Sequence, residues 1–236
     1  MRQNVVRIGR EVAEACREAG FFVSLALKSL RFWHRDPPIL TVADLAKFAE
    51  ARAKFVSQIT LFGYIKARAG TRYTLLFTDD IYAKSINIAK WEIYLSCLGD
   101  IAVFLAARIG SRTGASVEEV RAMALHMVDV ILTGEEIPAD RPQGFADIHT
   151  KFQERAQIAQ WADCADGEAA FMGSIAALTE WAPIADELKS LDQRIVRNSI
   201  RFKWKQVRDQ VDVLLDPDAV IADWRAGGRA TVEVAN

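Results

Sequence analysis

A chain of 236 residues, 51% of them hydrophobic, is long enough to bury a sizeable core without covalent staples. Thirty Lys and Arg stand against thirty-one Asp and Glu, so total charge leaves no footprint of nucleic acid, which is disfavoured as a partner. Cys16, Cys97 and Cys164 lie far apart with no C-x-x-C between them, a spacing that argues against a disulfide framework or zinc ribbon and suits a reducing, cytoplasmic compartment.

The first thirty-five residues carry seven Lys or Arg and three Glu. Within them "GFFVSLALKSLRFW" sets Phe21, Phe22, Leu25, Lys28, Arg31 and Trp33 side by side, the composition of a helix lying in a membrane interface, where apolar burial and attraction to anionic lipid add. The alternative is a helix that docks its oily face on a bundle and leaves its charges in water. Residues 1–36 are thus expected to form a basic amphipathic helix, residues 37–226 a helical bundle domain and residues 227–236 a loose tail. No run reaches the roughly 18 uninterrupted apolar residues that spanning a bilayer requires, and no cleavage pattern of a signal peptide follows the oily stretch.

All six prolines fall where the hydrophobic pattern breaks, and the stretches between them read as helical. Thr41 with Asp44 opens the first long helix as a weak capping box, and Gly70 suits its C-cap. A second long helix is expected to start at Asp79 and Asp80, whose carboxylates suit a positive helix end, and to run to Gly110. The two make an antiparallel hairpin, each arm of roughly 30 residues and on the order of 45 Å. Lys66, Arg68 and Arg72 between the arms could grip an anion, but the two aspartates that follow would repel it.

Ser116 and Glu119 form a full capping box for a helix ending at Gly134, and the polar loop "GEEIPADRPQG" follows. "FADIHTKFQERAQIAQWADCA" reads as one helix and "EAAFMGSIAALTEW" as a shorter one. From Pro183 to Leu215 the pattern is again long and amphipathic, and Asp216 with Pro217 caps a short final helix. The expected fold is all-α, a bundle of six to eight helices built on the hairpin.

Arg194, Arg197, Arg201, Lys205 and Arg208 follow one another at steps of three, four, four and three and cover an arc of about 80°. Val196, Ile200, Trp204, Val207 and Val211 fall on another face, which should bury. Such a row needs either carboxylates from neighbouring helices or an external anion, lipid or acidic protein, to answer it; Glu187 and Asp212 bracket it and favour the internal answer. Asp100, in the oiliest part of the second hairpin helix, needs a partner such as an arginine from the adjoining helix. Asn87, Lys90, Trp91 and Tyr94 form a polar and aromatic group on the same helix.

His34, His126 and His149 show no H-x-x-x-H or Glu-x-x-His spacing, so the sequence gives no metal ligands and implies no cofactor. "GSRTG" has neither the length nor the lysine of a phosphate loop.

"ADLAKFAEARAKFVSQITLFGYIKARAGTRY" and "SINIAKWEIYLSCLGD", within residues 40 to 110, resemble uncharacterised helical proteins of proteobacteria, some of them labelled esterase. The resemblance implies a hydrolase of small esters as an alternative function. A common esterase places its nucleophile in G-x-S-x-G on a strand-to-helix elbow, whereas "GSRTG" puts Ser111 one place too early, so no catalytic residue carries over. The pattern itself points to a non-catalytic interaction or assembly protein resting on the cytoplasmic face of the inner membrane, with the row at 194 to 208 meeting an acidic partner. A nucleic-acid-binding role ranks third.

Overall fold

The computed structural model describes residues 36–228, and from Pro38 onward the chain forms one compact unit. Phe21, Phe22, Leu25, Lys28, Arg31 and Trp33 lie outside the described residues, as does the tail from 229. Among the described residues there are eight α-helices and no strand: α1 (Val42–Ala69), α2 (Asp80–Thr113), α3 (Val117–Thr133), α4 (Ala146–Ile158), α5 (Trp161–Ala165), α6 (Met172–Trp181), α7 (Asp186–Leu214) and α8 (Pro217–Arg225).

Each N-terminal capping signal in the sequence acts where it stands. Thr41 accepts from the Asp44 N–H and the Asp44 carboxylate answers the Thr41 N–H, a complete capping box. Ser116 and Glu119 repeat it at α3, Asp79 accepts from the amides of Ile81 and Tyr82 at α2, and Asp216 caps α8 with Pro217 in its first turn. The chain closes on itself through a backbone bridge, with the Ile39 N–H donating to the Leu214 carbonyl at 2.9 Å and the Asp216 N–H to Ile39 at 3.1 Å. Asp223 of α8 adds a cap from far along the sequence, accepting from the Val42 N–H at 2.9 Å.

α2 is the axis. It packs against α1, α3, α5, α6 and α8, and every residue from Cys97 to Ala107 is buried. A helix wrapped on all sides is apolar on all sides, so α2 is long and apolar enough to cross a membrane by composition although its oily window is 83% buried inside the bundle. Asp100 still interrupts its apolar run, so no stretch of about 18 uninterrupted apolar residues occurs in it. Two glycines set its close contacts. At Gly110 a Cβ would stand 2.5 Å from Val120 Cγ2 of α3, and at Gly99 one would stand 3.3 Å from the Phe152 ring of α4.

Gly110 therefore serves packing and not termination, and α2 continues to Gly114, whose φ of 67° ends it in the left-handed region. The hairpin connection is likewise longer than a turn: Gly70 closes α1, and Gly70–Thr78 forms a 3₁₀ segment with no buried residue. The helix expected over 145–165 is broken at Ala159 and Gln160 into α4 and α5. Ala159 turns extended there, and Trp161 and Cys164 are buried beyond the break.

Candidate functional site

Among the polar contacts that anchor α7 to the rest of the fold, three are spread along its length. At its N-terminal end Asp192, nearly buried, accepts from the Arg68 guanidinium and from the Tyr64 hydroxyl at 3.0 Å, both on α1. The Arg68 hydrogen bond holds the Asp192 carboxyl below the usual carboxylate range, and burial together with Asp192 pushes the Tyr64 phenol up to about 12. In the middle the Trp204 indole N–H donates to Ser174 Oγ of α6 at 2.9 Å. Toward the C-terminal end Asp212 receives Arg108 and Arg112 of α2. Asp212 thus answers α2 and not the basic row it flanks, which corrects its assignment as a counter-charge for that row.

The middle anchor belongs to a buried polar cluster. Asp100, with no exposed surface, accepts from the Ser174 N–H at 2.7 Å and lies 2.7 Å from Nη1 of Arg155 on α4, the arginine from an adjoining helix that its position demands. Arg155 also donates to the Ala170 carbonyl at 2.7 Å. Burial is the largest influence on Asp100 and raises its pKa despite Arg155 and Ser174. Gly173 gives the carboxylate room, since a Cβ there would stand 2.8 Å from Asp100 Oδ1. The second predicted cluster is answered from outside: Tyr94 donates to Glu135 at 2.7 Å, Lys54 pairs with the same carboxylate at 2.7 Å, and Trp91 meets the Tyr94 ring edge-on at 5.7 Å.

Three groups of side chains divide the surface of α7. Val196, Ile200, Trp204, Val207 and Val211 are buried, as the periodicity requires. The five cations of the row lie on the adjacent face, four exposed and Arg208 half-buried. Arg201 pairs with Glu168 at 2.6 Å, Lys205 with Asp209 at 2.7 Å, and Arg208 donates to the Asp166 carbonyl at 2.8 Å. Arg194 and Arg197 have no ion-pair or hydrogen-bond partner among the described residues. The row is thus answered internally in part and open in part.

The third group was not read from the pattern. Leu188, Leu191, Ile195, Phe202 and Val213 recur within an arc of about 60°, and they are exposed, Leu191 to 76%, Ile195 to 67% and Phe202 to 59%. The signal was available as a second series at steps of three, four, seven and eleven, masked by the stronger buried series beside it. An exposed apolar stripe therefore runs along the cationic row.

Between α6, α7 and the turn at 166–171 lies a cavity of about 570 Å³. Phe171, Ile175 and Trp204 form its floor, Met172 and Phe202 stand at its rim, and Arg197, Arg201, Lys205 and Arg208 line it with Glu168 as the single carboxylate. The floor is held by an aromatic chain: Phe171 stacks on Trp204 with centroids 4.3 Å apart and meets Phe104 of α2 at 5.2 Å. The sequence placed the cations on one row; the turn that supplies Glu168 and Phe171 comes from elsewhere in the chain.

Gly167 makes that turn possible. Its φ is 96°, and a Cβ on it would lie 2.3 Å from Arg208 Cδ. Gly167→Ala is expected to cost about 1–2 kcal/mol in denaturant unfolding, from the left-handed backbone, and to expel Arg208 from the Asp166 carbonyl. Equal stability of variant and parent would mean that the turn relaxes freely.

Among the described residues no group of three His, Cys, Asp or Glu is placed to hold a metal ion. Ser111 donates to the Arg108 carbonyl within its own helix. The fold defines an all-α helical bundle. Set against family models, curated proteins and solved structures, the chain matches none, so its function is argued from its own geometry.

Proposed function

We propose that the protein is a non-catalytic module that rests on an anionic lipid surface, with α7 as the element that meets the leaflet and the oily, basic residues near the N-terminus, Phe21 to Trp33, as a second contact. The observation that carries this reading is the exposed stripe of Leu191, Ile195 and Phe202 lying alongside Arg194, Arg197 and Arg201 on one rigid helix. Apolar side chains enter the acyl boundary while neighbouring guanidinium groups reach the headgroups. Each such cation contributes roughly 1 kcal/mol against an anionic leaflet. The three anchors keep α7 from turning its oily stripe inward, so the stripe remains available to an external surface. On this reading the surface is the cytoplasmic face of the inner membrane, with which the scattered cysteines are compatible.

Co-sedimentation with vesicles tests it. The protein is expected to pellet with phosphatidylglycerol vesicles at low salt, to be released as salt rises, and to stay in solution with phosphatidylcholine. The double variant Leu191→Glu, Ile195→Glu is expected to lose at least about tenfold in affinity, since two apolar contacts become like charges at the leaflet. A parent protein that never pellets, or a double variant that pellets equally well, overturns the reading.

A further inference from the structure

The geometry points to a ligand site in the cavity beneath the row: we infer that it binds a single-chain amphiphile with a compact anionic head, a fatty carboxylate or alkyl phosphate. The cavity's size, about 570 Å³, falls within the roughly 300–1,000 Å³ of sites that enclose a small organic molecule. Its two halves differ in chemistry. Phe171, Ile175 and Trp204 offer a hydrocarbon floor, and from Arg197 to Arg208 the lining follows α7 for about 16 Å, the reach of a medium-length acyl chain.

The charged side is answered only in part. Of the four cations that line the cavity, Arg201 engages Glu168 and Lys205 engages Asp209, which leaves Arg197 and Arg208 without a carboxylate. Arg197 has no partner among the described residues, and the Nε–H of Arg208 is buried without a hydrogen-bond acceptor. An unmet guanidinium donor removed from water costs free energy until an acceptor arrives, and guanidinium groups match carboxylate and phosphate oxygens in pairs. A neutral lipid would leave these donors unmet, and a cationic amphiphile would be repelled. A small inorganic anion would leave the floor wet.

This site shares Arg197 and Arg201 with the lipid-facing surface and rests on that reading for its cationic rim, yet the two separate experimentally. Isothermal titration of the full-length protein with monomeric decanoate and with decyl phosphate, in the absence of vesicles, is expected to show one site. Decanol and decyltrimethylammonium are expected to bind at least about tenfold more weakly, and Arg197→Glu to weaken decanoate by about tenfold or more. Ile175→Trp, which fills the floor, is expected to abolish decanoate binding and leave sedimentation with phosphatidylglycerol vesicles intact; Leu191→Glu with Ile195→Glu is expected to do the reverse. Because Arg197 is exposed, its variant keeps the test valid should Ile175→Trp fail to fold. Absence of binding by both decanoate and decyl phosphate, or decanol binding as tightly as decanoate, overturns the assignment; loss of vesicle binding alone leaves it standing.

Discussion

Replacing Trp204 with alanine is expected to lower the stability of the bundle by about 3–5 kcal/mol, the usual cost of removing a large buried aromatic. Trp204 is the largest fully buried side chain of α7, its ring stacks on Phe171, and its indole N–H satisfies Ser174 Oγ, itself without exposed surface. Truncation opens a void and removes a donor at once. Against the roughly 5–15 kcal/mol that stabilises a typical domain, that is a large share, and urea unfolding followed by circular dichroism should show a lower midpoint. Trp204→Phe separates the two contributions: it keeps most of the stack and forfeits the hydrogen bond, at about 1–3 kcal/mol. If Trp204→Ala cost no more than Trp204→Phe, the ring would not be the support of the cavity floor.

Much of this bundle was legible because its signals are local. A capping box is complete within four residues, so Thr41 with Asp44 and Ser116 with Glu119 announce their helices without help from the rest of the chain. The same holds for Asp216 before Pro217, and for the buried series from Val196 to Val211. Where tertiary contacts decide, the local reading gives way. Gly110 looks like a helix stop and is a seat for Val120, and nothing in "RAQIAQWAD" marks the break that lets Trp161 enter the core.

The candidate site divides in the same manner. Spacing alone places Arg194 to Arg208 on one face, and the exposed stripe beside them is also a matter of spacing. Their counter-charges are not. Glu168 reaches Arg201 only through the turn that Gly167 permits, and Asp212, close by in sequence, is drawn away by Arg108 and Arg112. Arg141, in a loop that reads as merely polar, is buried and holds Glu92, Asp147 at 2.6 Å and the Gly144 carbonyl at 2.9 Å, pinning that loop to α2 and α4. Neither pairing leaves a trace in hydrophobic period.

The Asp100 cluster supplies the second large effect and gives it a pH dependence. Arg155→Ala is expected to destabilise the protein by about 3–5 kcal/mol at neutral pH, because breaking a buried pair by removing one partner leaves a charge in the core. The asymmetry of burial makes Arg155 the costlier loss: Asp100 is sealed, whereas the Arg155 side chain keeps 30% of its surface in water and can be solvated when its partner is gone. Asp100→Asn is therefore expected to cost less, about 1–3 kcal/mol, through the weaker hydrogen bond from the Ser174 N–H. The sign of the pH effect follows from the raised pKa of Asp100. A carboxyl that holds its proton more tightly in the fold contributes stability fully below its unfolded pKa, and that contribution is lost as pH rises through the folded value. Removing Arg155 takes away the main influence that lowers the folded value, so the loss becomes larger and extends to higher pH. Unfolding of parent and variant at pH 4 and pH 7 should show the Arg155→Ala penalty shrinking at the lower pH, as protonation relieves the unpaired Asp100 charge; a penalty equal at the two pH values would mean that Arg155 acts through packing and its Ala170 hydrogen bond and not through the charge it faces.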